Sequence, residues 1–395
     1  MQTSTKKHPQ LTVAEFFAGI GLMRIGLDQA GWTTLFANDI DEKKWEMYRD
    51  QFGDTSEFQI GDIHTLDPDR VPSVTLATAS FPCNDLSLAG ARKGLGGAQS
   101  SAFWGFIEVL KKMGARRPPM VLLENVTGFL TSNDGNDFED ALFALNEIGY
   151  SVDAFIVDAA KFVPQSRQRL FVVGTRGTKA CVLSETPKFY QSDCRPSALA
   201  DFILWHPDID WKIRPLPPFP ERQLTLEDVL QDLSPNSKHW WNQKRADYLL
   251  NQMSVKHRGA AEEMIKGDCI RFGTVFRRVR NGRSMGELRT DGIAGCLRTP
   301  RGGSGRQILF VAGRGSYAVR LLTPRECARL MGADEFVVRV PINQALFGFG
   351  DGVCVPVIRW IAENYLNRVW QEEFSPVLKP KGVRRPVSYA KARDS

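Results

Sequence analysis

The stretch Val74-Thr75-Leu76-Ala77-Thr78-Ala79-Ser80-Phe81-Pro82-Cys83-Asn84-Asp85 reads as a short apolar strand that ends in a proline and a cysteine and opens a Gly-rich segment, Gly90 to Gly97. In α/β sheets, chemistry gathers at the carboxyl ends of such strands. That makes Cys83 the first candidate. A second strand-like run, Met120-Val121-Leu122-Leu123, ends in Glu124-Asn125-Val126. If the two strands are parallel neighbours, a thiol and a carboxyl group share one edge, which suits nucleophilic attack with acid assistance. A lone cysteine after a strand is otherwise a small buried apolar residue. The pairing with Glu124 singles this one out.

Outward from this stretch, strands and helices alternate. Leu11 to Ala18 reads as a strand, Gly19-Ile20-Gly21 as a turn, and Leu22 to Ala30 as a helix stopped by Gly31. A strand, a glycine turn and a helix together present backbone N–H groups at the helix N-terminus. Thr33 to Ala37 reads as the next strand and runs into Asn38-Asp39. Asp39 lies about 20 residues past the glycines, the distance at which an acid meets a ribose in dinucleotide folds. Arg24 stands where the third glycine of G-x-G-x-x-G belongs, which argues against NAD or FAD. Helices are expected over 41–51, 102–113 and 138–148. Phe58-Gln59-Ile60 leads into Gly61-Asp62-Ile63, and strands are expected over 150–157 and 170–174. The fold class that follows is α/β, a doubly wound and mostly parallel Rossmann-like sheet.

The character changes after Arg176. Residues 205–220 hold five prolines and little periodicity, so the run containing Leu216-Pro217-Pro218-Phe219 reads as a connector. Residues 238–330 carry 19 Lys and Arg against 7 Asp and Glu, although the whole chain is only +6. An Arg-rich segment interleaved with Gly and aromatics, joined to an acidic body, predicts a polyanion partner. Beyond a possible helix at 245–253, the segment 221–305 shows only short strand-like pieces, a small irregular domain. Regularity returns at Tyr317. Thr323-Pro324-Arg325-Glu326 has the N-cap, N1 and N3 residues of a helix start, and an apolar-periodic helix spans 353–370.

Composition narrows the class. The 43% hydrophobic and 24% charged residues are ordinary globular values. No apolar run approaches the roughly 18 residues of a membrane span, and residues 1–10 lack the apolar core of a signal peptide. Seven cysteines without a CxxC pair and five histidines argue against a zinc site and a disulfide framework, and suit a reducing cytoplasm.

Eight segments, in this order, closely resemble the DNA (cytosine-5) methyltransferases: Phe17-Ala18-Gly19-Ile20-Gly21, Asp39, Gly61-Asp62-Ile63, Pro82-Cys83, Glu124-Asn125-Val126, Gln165-Ser166-Arg167-Gln168-Arg169, Arg320 through Gly332, and Gly350-Asp351-Gly352-Val353. The resemblance covers 11–176 and 317–370. It implies an enzyme that transfers a methyl group from S-adenosylmethionine to carbon 5 of a flipped-out cytosine, releasing S-adenosylhomocysteine, without a metal. Cys83 would add to carbon 6, Glu124 would bond N3 and the exocyclic amine, and Arg167 and Arg169 would hold the base's O2 and nearby carboxylate and phosphate groups.

The donor would lie across Phe17, Ala18, Gly19, Ile20 and Gly21, with Asp39 on its ribose, Asp62 on its adenine, and Phe17, Ile40 and Ile63 as apolar walls. Pro82, Phe103, Asp351, Gly352 and Val353 complete the expected cofactor set. DNA contacts are expected at Asn84, Ser87, Arg298 and Arg301, with 85–99 as a lid. The implied organisation is a flexible 1–10, a catalytic and cofactor-binding domain 11–178, a target-recognition domain 179–316, a return to the catalytic domain over 317–371, and a basic disordered tail 372–395.

The chain departs from the family pattern at Asn84-Asp85, at Asp351 in place of Asn, and at Cys296 in place of Thr. Two other readings remain open at this point, a tRNA cytosine-5 methyltransferase of the same fold and a catalytically silent DNA-binding relative. The expected partner is double-stranded DNA, bound by a monomer in the bacterial cytoplasm at the nucleoid, either beside a cognate restriction endonuclease acting separately or as a solitary methylase, with no membrane association.

Overall fold

The computed structural model describes residues 11–82, 101–177, 190–280, 282–299 and 305–375. Seven strands form the large sheet: β1 (Thr12–Phe16), β2 (Thr33–Asp39), β3 (Phe58–Ile60), β4 (Leu76–Ala79), β5 (Met120–Val126), β6 (Tyr150–Asp158) and β7 (Gln168–Arg176), in the order β3-β2-β1-β4-β5-β7-β6. Pairing is parallel from β3 to β5, and β7 runs antiparallel to both β5 and β6. This is the doubly wound, mostly parallel sheet that the sequence predicts. Every residue of β1 and β4 is buried, as strands covered on both faces must be. The strand order reverses between β1 and β4, which puts the ligand crevice at their carboxyl ends.

The sheet is covered by α1 (Leu22–Gln29), α2 (Glu42–Phe52), α3 (Ser101–Met113) and α4 (Asn136–Glu147). Then follow α5 (Ser197–Trp205), α6 (Leu226–Val229), α7 (Gln243–Asn251) and α8 (Val255–Lys266), and after the second sheet α9 (Pro324–Leu330), α10 (Ile342–Asp351) and α11 (Val355–Ile361). The absent third glycine has a structural replacement. Gly26 is where α1 meets α11, since a Cβ there would stand 2.7 Å from Ile358 Cβ. Arg24 is free to turn away and stack 4.0 Å from the Phe52 ring centroid, with Nη1 donating to the Tyr48 hydroxyl at 2.8 Å.

The second sheet has four antiparallel strands, β8 (Arg271–Arg280), β9 (Arg283–Arg289), β10 (Ile308–Gly313) and β11 (Ser316–Leu321), in the order β11-β10-β8-β9. With α7 and α8 it encloses its own core of Leu249, Met264, Val275, Leu288, Phe310 and Val319. The far halves of β8 and β9 are exposed and arginine-rich, so they lack the alternation that marks a strand in sequence.

Three boundaries differ from expectation. Residues 190–214 belong to the large domain. Leu199, Phe202, Ile203 and Trp211 share its core with Phe138 and Leu142, and Arg195 Nη2 lies 2.8 Å from Asp153 Oδ1. The chain returns to the large domain after Leu321, because β11 pairs with β10. The C-terminal helical run continues to Phe374, past the expected tail start. The helical stretch Ile342–Phe374 also has the length and apolarity of a membrane span, contrary to the sequence reading. Yet its most apolar 18-residue window is 67% buried inside the protein, and α10 and α11 are separated at Gly352 to Cys354. It is a core element.

Candidate active site

A cavity of about 740 Å³ opens at the carboxyl ends of β1, β2, β4 and β5. Phe17, Ala18, Gly19, Ile20, Asp39, Ile40, Asp62, Ile63, Pro82, Glu124, Arg167, Arg169, Asp351, Gly352 and Val353 all line it. Two expected cofactor residues do not. Gly21 caps α1 at φ 84°, and a Cβ there would collide with the Phe52 and Tyr48 rings, so its task is to let the turn pass. Phe103 is fully buried in the core, its ring 5.3 Å from that of Phe81, while its neighbour Ala102 faces the cavity. An apolar residue opening a helix reads the same in sequence whether it faces a pocket or the core.

The glycine turn is held in an unusual conformation. Phe17 has φ 58° and Gly19 φ 58°. A left-handed Phe costs on the order of 1–3 kcal/mol and persists only where its surroundings demand it. Part of that demand comes from Asp39, whose Oδ2 accepts from Gly19 N at 2.8 Å and whose Oδ1 accepts from Asp41 N at 2.9 Å. The Asp39 carboxylate therefore orders the turn, and each oxygen keeps a lone pair for a ligand. Asn38 donates to the carbonyls of Gln59 and Gly61, which sets the chain that carries Asp62. Ile40, 66% exposed, offers an apolar wall to the cavity.

β4 and β5 are parallel neighbours, with Ala79 paired to Leu123, so Ser80, just past the end of β4, lies level with Glu124 in β5. Arg169 Nε lies 2.9 Å from Glu124 Oε1. Burial pushes the Glu124 carboxyl up. The Arg169 and Arg167 charges and hydrogen bonds from Ser80 and Arg169 oppose that without cancelling it. Asn125 Nδ2 donates to the Phe81 carbonyl at 3.3 Å, fastening the end of β4.

Arg167 and Arg169, expected together at the base, both line the cavity but have different surroundings. Arg167 is only 2% exposed, and both terminal nitrogens of its guanidinium bind the protein, while Nε has no hydrogen-bond partner among the described residues. Nη1 donates to the Leu297 carbonyl at 2.9 Å and to Cys296 Sγ at 3.3 Å; Nη2 donates to the carbonyls of Gly350 at 3.0 Å and Gly352 at 2.5 Å. It clamps the 296–297 chain to the turn after α10. Gln165 works beside it, donating to the Leu330 carbonyl and accepting from Leu297 N. Gly350 permits the clamp, since a Cβ there would stand 2.7 Å from the Arg298 backbone. Cys296 sits in this ring of charge. Burial alone would raise its thiol, but Arg167, Arg169 and Arg298 outweigh it and hold the thiol below its usual range. Arg298 itself is exposed.

One residue escaped the sequence reading. Glu15, in the middle of β1, lines the cavity, is 2% exposed, and its Oε2 has no hydrogen-bond partner. Burial raises its carboxyl to about 8, against the pull of Arg24. An acid inside the apolar run Leu11 to Ala18 was the available signal. Cys83, Asn84, Ser87, Arg301 and the expected lid 85–99 lie outside the described residues. Cys83 is bonded to Pro82, which lines the cavity.

A sulfonium nucleoside suits this lining. Ile40 and Ile63 offer apolar surface to a base, while Asp39, Asp62 and Glu15, whose Oε2 has no partner among the described residues, offer carboxyl groups to hydroxyls and an amine. Among the described residues no cluster of His, Cys, Asp and Glu could hold a metal ion.

The sequence matches the family described as C-5 cytosine-specific DNA methylase over residues 11–367. This chain belongs to that family. It is 27% identical to Type II methyltransferase M.HhaI of Haemophilus parahaemolyticus over 91% of this chain and 96% of that one. It is 29% identical to Type II methyltransferase M.DsaV of Dactylococcopsis salina, over 93% and 90%. The S. pombe Dnmt2 methyltransferase shares the fold, with a TM-score of 0.59 at 19% identity, covering 91% of this chain and 99% of that one. The protein is a DNA cytosine-5 methyltransferase, its methyl donor is S-adenosylmethionine, and its substrate is DNA.

Proposed function

We propose that this methyltransferase reads a short duplex sequence with its smaller domain and methylates a flipped-out cytosine through Cys83 and Glu124. The observation that carries the reading is Glu124, buried and held by Arg169 and Ser80 at the strand edge from which Pro82 leads into Cys83. Carbon 5 of cytosine is a weak nucleophile. Addition of the Cys83 thiolate to carbon 6, with a proton from Glu124 to N3, turns the ring into an enamine. Bound in the cavity, S-adenosylmethionine supplies the methyl group and leaves as S-adenosylhomocysteine. A water molecule then takes the carbon 5 proton, the freed electron pair expels Cys83 as a thiolate, and N3 returns its proton to Glu124. Arg169 positions Glu124 and reaches toward the base, while Arg167 holds the floor. Gly19 lets the donor approach the turn, Asp39 takes its ribose, Asp62 its adenine, and Phe17, Ile40 and Ile63 its apolar faces.

The DNA-facing surface is the arginine cluster Arg245, Arg277 and Arg306, together with Arg298. β8 pairs with β10 only as far as Val275 opposite Ile308, so Phe276 to Arg280 and their β9 partners overhang the sheet beyond the end of β10 from which Arg306 leads. Arg306 hydrogen-bonds Asn343, a residue of the cavity lining. Arg245 stacks 3.9 Å above Trp241, and Arg277 lies 5.7 Å from the same ring. Rigid, stacked guanidinium groups suit phosphates and guanine edges. The protein acts as a monomer in the bacterial cytoplasm, beside a separate restriction enzyme, a reading supported by the bacterial sources of its Type II relatives.

Bisulfite sequencing of DNA from cells expressing the protein tests this reading. Methylated cytosine confined to one short motif is expected. Methylation without sequence preference, or none beside an active donor-binding protein, would overturn it.

A further inference from the structure

Asp351 closes α10, the end of a helix where the macrodipole carries about half a negative charge and an acid is unfavourable. Its compensation comes from another element. Lys44, on the first turn of α2, reaches across the cavity wall to place Nζ 2.9 Å from Asp351 Oδ2. Lys44 is partly buried, Asp351 is more exposed, and Lys44 faces Asp39 and Asp41 as well. Burial works against its charge, yet Asp351, Asp39 and Asp41 together hold the ammonium above its usual range. The two helices do not need this pair to stay together. Gln344 of α10 already donates to the Lys43 carbonyl at 2.9 Å and to Glu46 Oε2 at 2.8 Å. The pair thus adds one positive and one negative charge to the lining of a cavity, at some electrostatic cost, where a neutral residue would also close the helix.

We propose that Lys44 and Asp351 set the charge balance of the methyl-donor cavity, and so decide how strongly it prefers the cationic sulfonium donor over its neutral thioether product. The proposal rests on the reading of this cavity as the donor site. Donor and product share the nucleoside and the amino-acid tail, and differ by one methyl group and one positive charge. A balanced pair contributes little to that difference. Removing Asp351 leaves Lys44 to repel the sulfonium, and removing Lys44 leaves Asp351 to attract it. Screened charges inside a partly open cavity change such a preference by about three-fold or more at low ionic strength, and less in salt.

Calorimetry with S-adenosylmethionine and S-adenosylhomocysteine on the full chain tests this. The wild type, Asp351→Asn, Lys44→Met and the double variant should be compared at low and high salt. The donor-to-product ratio of Kd is expected to rise in Asp351→Asn, fall in Lys44→Met and return toward the wild-type value in the double variant, with Lys44→Arg unchanged. Equal weakening of both ligands in each single variant, or an unmoved ratio, would show the pair to be a structural tie and overturn the proposal. Failure of the wild type to bind either ligand would instead remove the reading of the cavity. Thermal melts of each variant without ligand distinguish a folding defect from a shifted preference.

Discussion

Arg169 Nε lies 2.9 Å from Glu124 Oε1, and the two residues come from antiparallel neighbours in one sheet. Glu124 stands opposite Phe171, two residues from Arg169, so the side chains are diagonal neighbours on one face. Burial favours the neutral acid, and the arginines and Ser80 favour the carboxylate. A carboxyl held above its usual range keeps its proton more readily, which suits a step that lends a proton and takes it back.

Replacing Glu124 with Gln keeps the shape and removes the proton. Single-turnover methylation should slow by about 10²–10⁴, the usual worth of general acid help, with donor affinity little changed. A rate within a few-fold of wild type would make Glu124 a structural residue.

The two arginines should separate by phenotype. Arg169→Ala should lower the methylation rate with a modest change in melting temperature. Arg167→Ala strips buried carbonyls of their donor and should destabilise the fold by roughly 3 kcal/mol or more. Denaturant titration beside single-turnover kinetics makes the comparison, and equal stability of the two variants would contradict the clamp.

The mostly parallel class was legible because parallel strands, buried on both faces, leave unbroken apolar runs such as Met120 to Leu123. The strand order was not, and the edge shared by Cys83 and Glu124 was conditional on their strands being neighbours, which the pairing of β4 with β5 meets. The division of labour between Arg167 and Arg169 was not legible. Both are arginines two positions apart, and their partners, Leu297 and Gly350 on one side and Glu124 on the other, come from distant parts of the chain. Trp211 lies in a proline-rich run without periodicity, yet it is fully buried in the large core, which only the packing reveals. Glu15 was hidden by its apolar neighbours.

Glu15 makes stability depend on pH. The folded protein holds this proton up to about pH 8, whereas an unfolded chain releases it near 4.5. Between those values the folded state binds more protons, so this contribution to stability is full at low pH and is lost as pH rises. The melting temperature of the donor-free protein should fall across that window, and Glu15→Gln should flatten the slope. Parallel profiles for the two proteins would contradict a buried neutral Glu15.

Arg245→Ala and Arg277→Ala should each weaken binding to any duplex and reduce the salt slope of binding by about one unit if they touch phosphates. A relaxed methylation motif with an unchanged slope would assign them to base edges instead. Unchanged motif and unchanged slope in both would move the DNA to another face.

The central claim is that Cys83 forms the covalent bond to cytosine. A duplex carrying the methylated motif with 5-fluorocytosine at the target blocks the final loss from carbon 5, so the bond accumulates. Mass spectrometry after incubation with S-adenosylmethionine should find a protein–DNA adduct on the Cys83 peptide of the wild type and none in Cys83→Ser. An adduct of equal yield in Cys83→Ser, or one mapped to another residue, would contradict the account.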